Sequence, residues 1–190
     1  MYTFGSDRII ILDTEYTSRK WAQDIWFSGT HEFPEIIQIA AILVDTSTFE
    51  EVDHFVSFVK PQYNPILSDF IKNLTHITQK QVDSAEDFVV VLQKFKDRTG
   101  NKDTYSFGND GFVLAENCWL DKEAFPFRSD MFKDVREVFW SVWIPAEKYT
   151  SGTIHQYFHL TDSGTEHDAL DDSRNILRAM KQLYSLQNIS

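Results

Sequence analysis

One cysteine, Cys118, stands in a chain of 190 residues, which excludes an internal disulfide and any CxxC metal knuckle. A reducing, cytoplasmic compartment is the expectation that follows. If a metal is held, oxygen or imidazole must hold it. Positive charge is scarce as well: 18 Lys and Arg face 29 Asp and Glu, a formal net charge of -11. A broad basic face that coats a long nucleic-acid backbone is therefore not expected. The opening MYTFGSDRIIILDTEYT carries only a short apolar run ending in an acid, and no later stretch approaches the roughly 18 apolar residues of a membrane span. Neither a secretion signal nor a membrane partner is expected. Repeats and low-complexity linkers are also missing. What is present, 42% hydrophobic and 25% charged residues, fits one ordinary globular domain over residues 1–190.

The β-branched run Arg8 to Leu12 reads as a strand buried on both faces. Glu35 to Val44 and Glu50 to Val59 read as two more strands around the turn-like DTSTF, and Thr104 to Phe107 as a fourth. Helices are predicted at Ser68 to Leu74, after a Ser84/Asp87 cap as far as Gly100, across DGFVLAENCWL, and from Asp168 to about Tyr184. Strands first and then alternation with helices means an α/β or α+β class with a mixed sheet. The connection 16–34 is long for a compact domain and carries Trp21, Trp26 and Phe27. It reads either as a loop pinned by its own aromatics or as a lid or base-stacking wall.

Two acidic groups suggest chemistry. Asp13 and Glu15 end the buried first strand two residues apart, so their side chains leave on one side, about 6 to 7 Å apart. Without a divalent cation, repulsion and partial burial would raise at least one of their pKa values. A solvated turn is the plain alternative. The second group is His167-Asp168-Ala169-Leu170-Asp171-Asp172. Around the buried stripe of the last helix, Asp171 points to solvent and Asp172 sits roughly 95° from the stripe centre, at the border of core and water. Asp168 suits the helix start for its dipole. His167 stands just before the helix, where its ring is free to swing over a site.

Together, D-x-E on a first strand, a later Asp, and H-x-A-x-x-D at a C-terminal helix resemble the DEDDh 3′→5′ exonucleases of the DnaQ-like and ribonuclease T family, within the ribonuclease H-like superfamily. The stretch from Pro61 through LSDFIKNLTHITQKQVD is similar to that family's "P…I(S/L)…LTGIT…V", above all in the branch of histone-mRNA and small-RNA 3′ exonucleases and KapD-like bacterial proteins. The resemblance covers nearly the whole chain. It implies an α/β, ribonuclease H-like mixed five-stranded sheet flanked by helices.

Carried over by position, the resemblance makes Asp13, Glu15, Asp110 and Asp172 ligands of two Mg²⁺ or Mn²⁺ ions and His167 the general base. Asp110 stands one residue early against the family's S-W-G-x-x-D, since YSFGNDG puts Gly111 in the expected place. The assignment needs a turn one residue shorter; Asp103 and Glu116 are the alternatives. Glu35 and Gln38 fall on the family's "EI(I/V)EIGAV" strand, with Gln38 in place of an acid, and read as structural. Thr14, Leu74, His76 and Phe107 are the implied contacts to the substrate, His76 replacing a family glycine and Phe107 reading first as core packing. The implied activity is two-metal hydrolysis of the last phosphodiester at the 3′ end of single-stranded RNA or DNA, RNA slightly favoured, releasing nucleoside 5′-monophosphates. The other readings are a silent nucleic-acid-binding module on the same fold and a hydrolase of very short oligonucleotides. Ribonuclease T-like relatives dimerise, but no interface signature for a homo-oligomer is visible in this sequence. The excess acid limits the footprint to a few phosphates, so binding should depend only weakly on salt.

Overall fold

The computed structural model describes residues 2–20, 33–161, 164 and 167–187. Three long strands, β1 (Arg8–Tyr16), β2 (Ile36–Asp45) and β3 (Glu50–Lys60), form an antiparallel meander. After α1 (Asp69–Thr75) and α2 (Gln79–Asp83) come β4 (Glu86–Asp87), α3 (Phe88–Thr99), β5 (Thr104–Ser106), α4 (Asp110–Leu120), β6 (Phe132–Asp134), α5 (Arg136–Trp140) and α6 (Ala169–Gln187). The sheet has six strands in the order β4-β3-β2-β1-β5-β6. β5 runs parallel to β1, and β6 parallel to β5. The ribonuclease H-like α/β architecture is as expected, with six strands in place of five. β4 and β6 span two and three residues, too few for any period to appear in the sequence.

β1 is buried on both faces because helices cover both. Ile9 and Ile11 pack with Phe139 of α5 and with Ile176 and Met180 of α6, whereas Ile10 and Leu12 pack with Val91 and Phe95 of α3 and with Leu114 of α4. This alternation carries past the core and decides where the acids point. The cap reading for α3 needs correction. Ser84 ends α2, its N–H donating to Lys80 O at 3.2 Å, and Asp87 alone stands at the start of α3. α2 has no counterpart among the helices expected from sequence, although Thr78 and Gln81 form a full capping box. Gly100 closes α3 at φ +64°, a backbone that favours glycine. Most of the long connection, with Trp21, Trp26 and Phe27, lies outside the described residues. Among the described residues no helix is long and apolar enough to cross a membrane.

Candidate active site

β1 does not stop at Leu12; it stays paired with β2 through Asp13 opposite Ala40 and Glu15 opposite Gln38. Both acids therefore lie within a strand, not in a solvated turn. As odd-numbered residues they share the side of Ile9 and Ile11, which α6 covers. Asp13 is 6% exposed and Glu15 9%, so little water reaches either carboxylate. Burial, then the charges of Asp110, Asp172 and Glu15, hold Asp13 well above its ordinary pKa. Burial, then Asp172, Asp110 and Asp168, push Glu15 up to about 9. The rise expected from crowded carboxylates is present.

Asp110 reaches this group from the start of α4. β5 leaves β1 at Ser106, opposite Leu12, so two residues further on Thr14 has no strand partner on that side. The Asp110 carboxylate takes its place: Oδ1 accepts from Thr14 N at 3.0 Å and from Thr14 Oγ1 at 2.6 Å. Burial raises the Asp110 pKa while these two bonds lower it. The short turn 107–109 thus brings Asp110 to the end of β1. Asp103 instead pairs with Lys133 at 2.5 Å, and neither Asp103 nor Glu116 is among the residues that line the cleft.

The third contribution comes from the start of α6. His167 has left-handed backbone, φ +63°, which non-glycine residues seldom adopt. Asp168 accepts at Oδ1 from Leu170 N and Asp171 N, at 3.1 and 3.2 Å, the helix-start role expected of it. Gln38 on β2 fastens this turn to the sheet: Oε1 accepts from Ala169 N at 3.1 Å and Nε2 donates to Asp168 Oδ2 at 3.1 Å. Asp172, 2% exposed, receives a hydrogen bond from Ser151 Oγ at 3.1 Å. The chain passes so near it that a Cβ on Gly152 would meet Asp172 Oδ1 at 2.7 Å. Only glycine permits that approach. Asp171 lies on the other side, against Gly164.

Asp13, Glu15, Asp110, His167 and Asp172 line one open cleft of about 480 Å³, within the range of small-ligand sites, roughly 300 to 1,000 Å³. One donor atom each from Glu15, His167 and Asp172 lie within 4.8 Å of one another. Thr14, Leu74 and Phe107 also line the cleft, but both Thr14 donors are spent on Asp110. Phe107 serves core and cleft together. His76 does not line the cleft. It is exposed and closes α1 in left-handed backbone, φ +59°, which accounts for the glycine that the family places there. Glu35 is structural, as read: it accepts from Gln62 N, Tyr63 N and Asn64 N at 2.7, 2.8 and 2.5 Å. Phe70, Arg136, Tyr149 and Ser151 line the cleft unanticipated. Phe70 lies in the family-like segment before LTHIT, a signal that could have singled it out; no local pattern marks the other three.

Three comparisons fit this arrangement. The sequence matches the RNase_T family, described as exonuclease, over residues 10–180. It is 33% identical over 184 residues to the human 3'-5' exoribonuclease 1, covering 90% of this chain and 51% of that protein. It is also 33% identical over 191 residues to the probable 3'-5' exonuclease KapD of Bacillus subtilis (strain 168), covering 93% and 84%. The crystallographic nuclease domain of 3'hExo, a DEDDh family member bound to rAMP, superposes with a TM-score of 0.78 at 29% identity, covering 97% of this chain and 94% of that one. The chain spans about half the length of the human relative. With D-x-E on β1, an Asp at α4 and His-Asp at α6 gathered in the fold that a DEDDh nuclease shares, the chain belongs to the RNase_T exonuclease family.

Proposed function

We propose that this chain is a divalent-metal-dependent 3′→5′ exonuclease. It would hydrolyse the last phosphodiester of a single strand, RNA in preference to DNA, and release nucleoside 5′-monophosphates. One observation carries the reading: four carboxylates and one imidazole, from three separate elements, line a single cleft. An all-oxygen set with one imidazole suits hard cations such as Mg²⁺ or Mn²⁺. Burial and the neighbouring carboxylates raise the pKa values of Asp13 and Glu15, a crowding that a bound divalent cation would relieve. Asp13, Glu15, Asp110 and Asp172 would hold the ions. When bound, divalent ions supply Lewis acidity, lowering the pKa of water and stabilising charge on phosphoryl and leaving oxygens.

The chain's own residues do the rest. His167, partly exposed beside Glu15 and Asp172, takes the proton of the attacking water. Ser151 and Gly152 fix Asp172. The apolar side formed by Phe70, Ile71 and Leu74 receives the terminal nucleoside. Relatives named exoribonuclease, and a structural neighbour solved with rAMP, support RNA over DNA.

The test uses 5′-labelled single-stranded RNA, DNA and a dinucleotide, with and without a 3′ block, in Mg²⁺ or Mn²⁺. Shortening from the 3′ end, abolished by the block, is expected. His167→Ala should lose turnover and keep Mn²⁺ binding, while Asp13→Ala should lose both. Equal Mn²⁺ affinity in the wild type and Asp13→Ala would overturn the ligand assignment, and no product on any substrate would leave a binding module.

A further inference from the structure

The cleft has two unlike sides. Sheet order places α1, which follows β3, and α5, which follows β6, on opposite sides of β1. The α1 side is apolar; the other presents Phe107 and Arg136. Among the described residues, Arg136 is the one lysine or arginine that lines the cleft. It is held firmly. Asp134 accepts from Arg136 Nε at 3.0 and 2.9 Å, from Nη2 at 2.6 Å and from its backbone N at 2.9 Å. The guanidinium carbon lies 5.9 Å from the centre of the Phe107 ring and 5.4 Å from that of Trp140. Among the described residues, Nη1 makes no hydrogen bond. Trp140 is fixed in turn, Nε1 donating to Glu147 Oε2 at 3.0 Å, yet it stays 42% exposed.

A planar cation set against two rings with a spare nitrogen is a preorganised partner for a phosphate oxygen. A strand whose 3′ nucleoside lies on the apolar side of the metals must leave by the other side. In a chain of net charge -11, each further phosphate needs a cation of its own, and that side offers one. We infer that Arg136 and Trp140 form a binding subsite for the nucleotide on the 5′ side of the scissile bond, Arg136 taking its phosphate and Trp140 its base. The inference rests on the exonuclease reading.

Two substrates separate it from a structural role: a 5′-labelled single-stranded oligonucleotide, and the p-nitrophenyl ester of uridine 5′-monophosphate, which has no nucleotide upstream. The readout is the ratio of kcat/KM on the first to kcat/KM on the second. In Arg136→Gln and in Trp140→Ala this ratio should fall about tenfold, within the span of one lost stacking or phosphate contact. Arg136→Gln should also flatten the salt dependence of oligonucleotide binding by about 0.7 in log–log slope, one phosphate's share on a single strand, whereas Trp140→Ala should not. An unchanged ratio in both variants, including the case in which a damaged fold lowers both activities alike, overturns the subsite. A wild-type chain that turns over neither substrate overturns the exonuclease reading itself.

Discussion

Gln38 shows how much of the candidate site depends on a residue that does not line the cleft. Its amide accepts from Ala169 N and donates to Asp168 Oδ2, a pairing that only an amide beside an acid can make. A glutamate at 38 would keep the first bond and set two carboxylates against each other at the second. Gln38→Glu should thus cost about 1 to 3 kcal/mol of local order and lower kcat on single-stranded RNA about tenfold or more, since small displacements of reacting groups are costly. Exchanging the partner restores the logic: in Gln38→Glu/Asp168→Asn the new amide donates to residue 38 and still caps Leu170 and Asp171. Recovery of most of the lost kcat in the double variant is the expected result of the cycle. A double variant no better than the single one rules out this pairing as what places His167 and Asp172. Much of the site was legible at this scale. Asp13 and Glu15 share a strand side by their spacing alone, and the helix wheel put Asp172 at the core border. Ser151 and Arg136, which reach the cleft by tertiary return, were not legible, nor was Gly152, which packs against Asp172, because no local period marks any of them.

At the scale of elements, legibility followed length and punctuation. α4 was read to the residue, since Gly108 and the run DGFVLAENCWL mark both ends. The start of α3 was misread because two cap-type residues stand close together, and Ser84 serves the short helix before it. α1 was read nearly to the residue, and its cap carries a second duty. Ser68 Oγ accepts from Ile71 N at 3.2 Å and donates to Ser18 O at 2.6 Å, tying the apolar side of the cleft to the chain that leaves β1. Ser68→Ala removes both bonds. The expected loss is about 1 kcal/mol, the usual cost of an N-cap, seen as a lower urea midpoint at constant m-value. Because α1 presents Phe70 and Leu74 to the cleft, KM should rise more than kcat falls. The reverse pattern would mean that α1 acts on the reacting groups and does not merely seat the nucleoside.

The whole molecule is acidic, and the structure shows how that excess is distributed. Many cations are committed to surface pairs, such as Arg98 with Asp53 and Arg174 with Glu51, while four carboxylates crowd one cleft. Composition reveals the imbalance but not this concentration, which arises only when β1, α4 and α6 meet. The crowding has a thermodynamic consequence. A carboxyl group whose folded pKa lies above its unfolded value favours the unfolded chain at every pH above that unfolded value, because unfolding lets it ionise in water. Asp13 is such a group. Asp13→Asn should raise the melting temperature of the metal-free chain at pH 7, and the gain should shrink as pH falls toward about 4, the ordinary carboxylate range. Mn²⁺ should do the opposite to the pair. At a hundredfold excess over Kd, a ligand specific to the folded state adds about 2.7 kcal/mol, or roughly 5 to 10 °C for a chain of this size. Wild type should show that rise and Asp13→Asn should lose most of it, so that the more stable metal-free chain becomes the less stable one once metal is added. Calorimetry of both chains in chelator and in Mn²⁺ measures the crossing. If Asp13→Asn gained as much from Mn²⁺ as wild type does, Asp13 would hold no ion and its burial would need another cause.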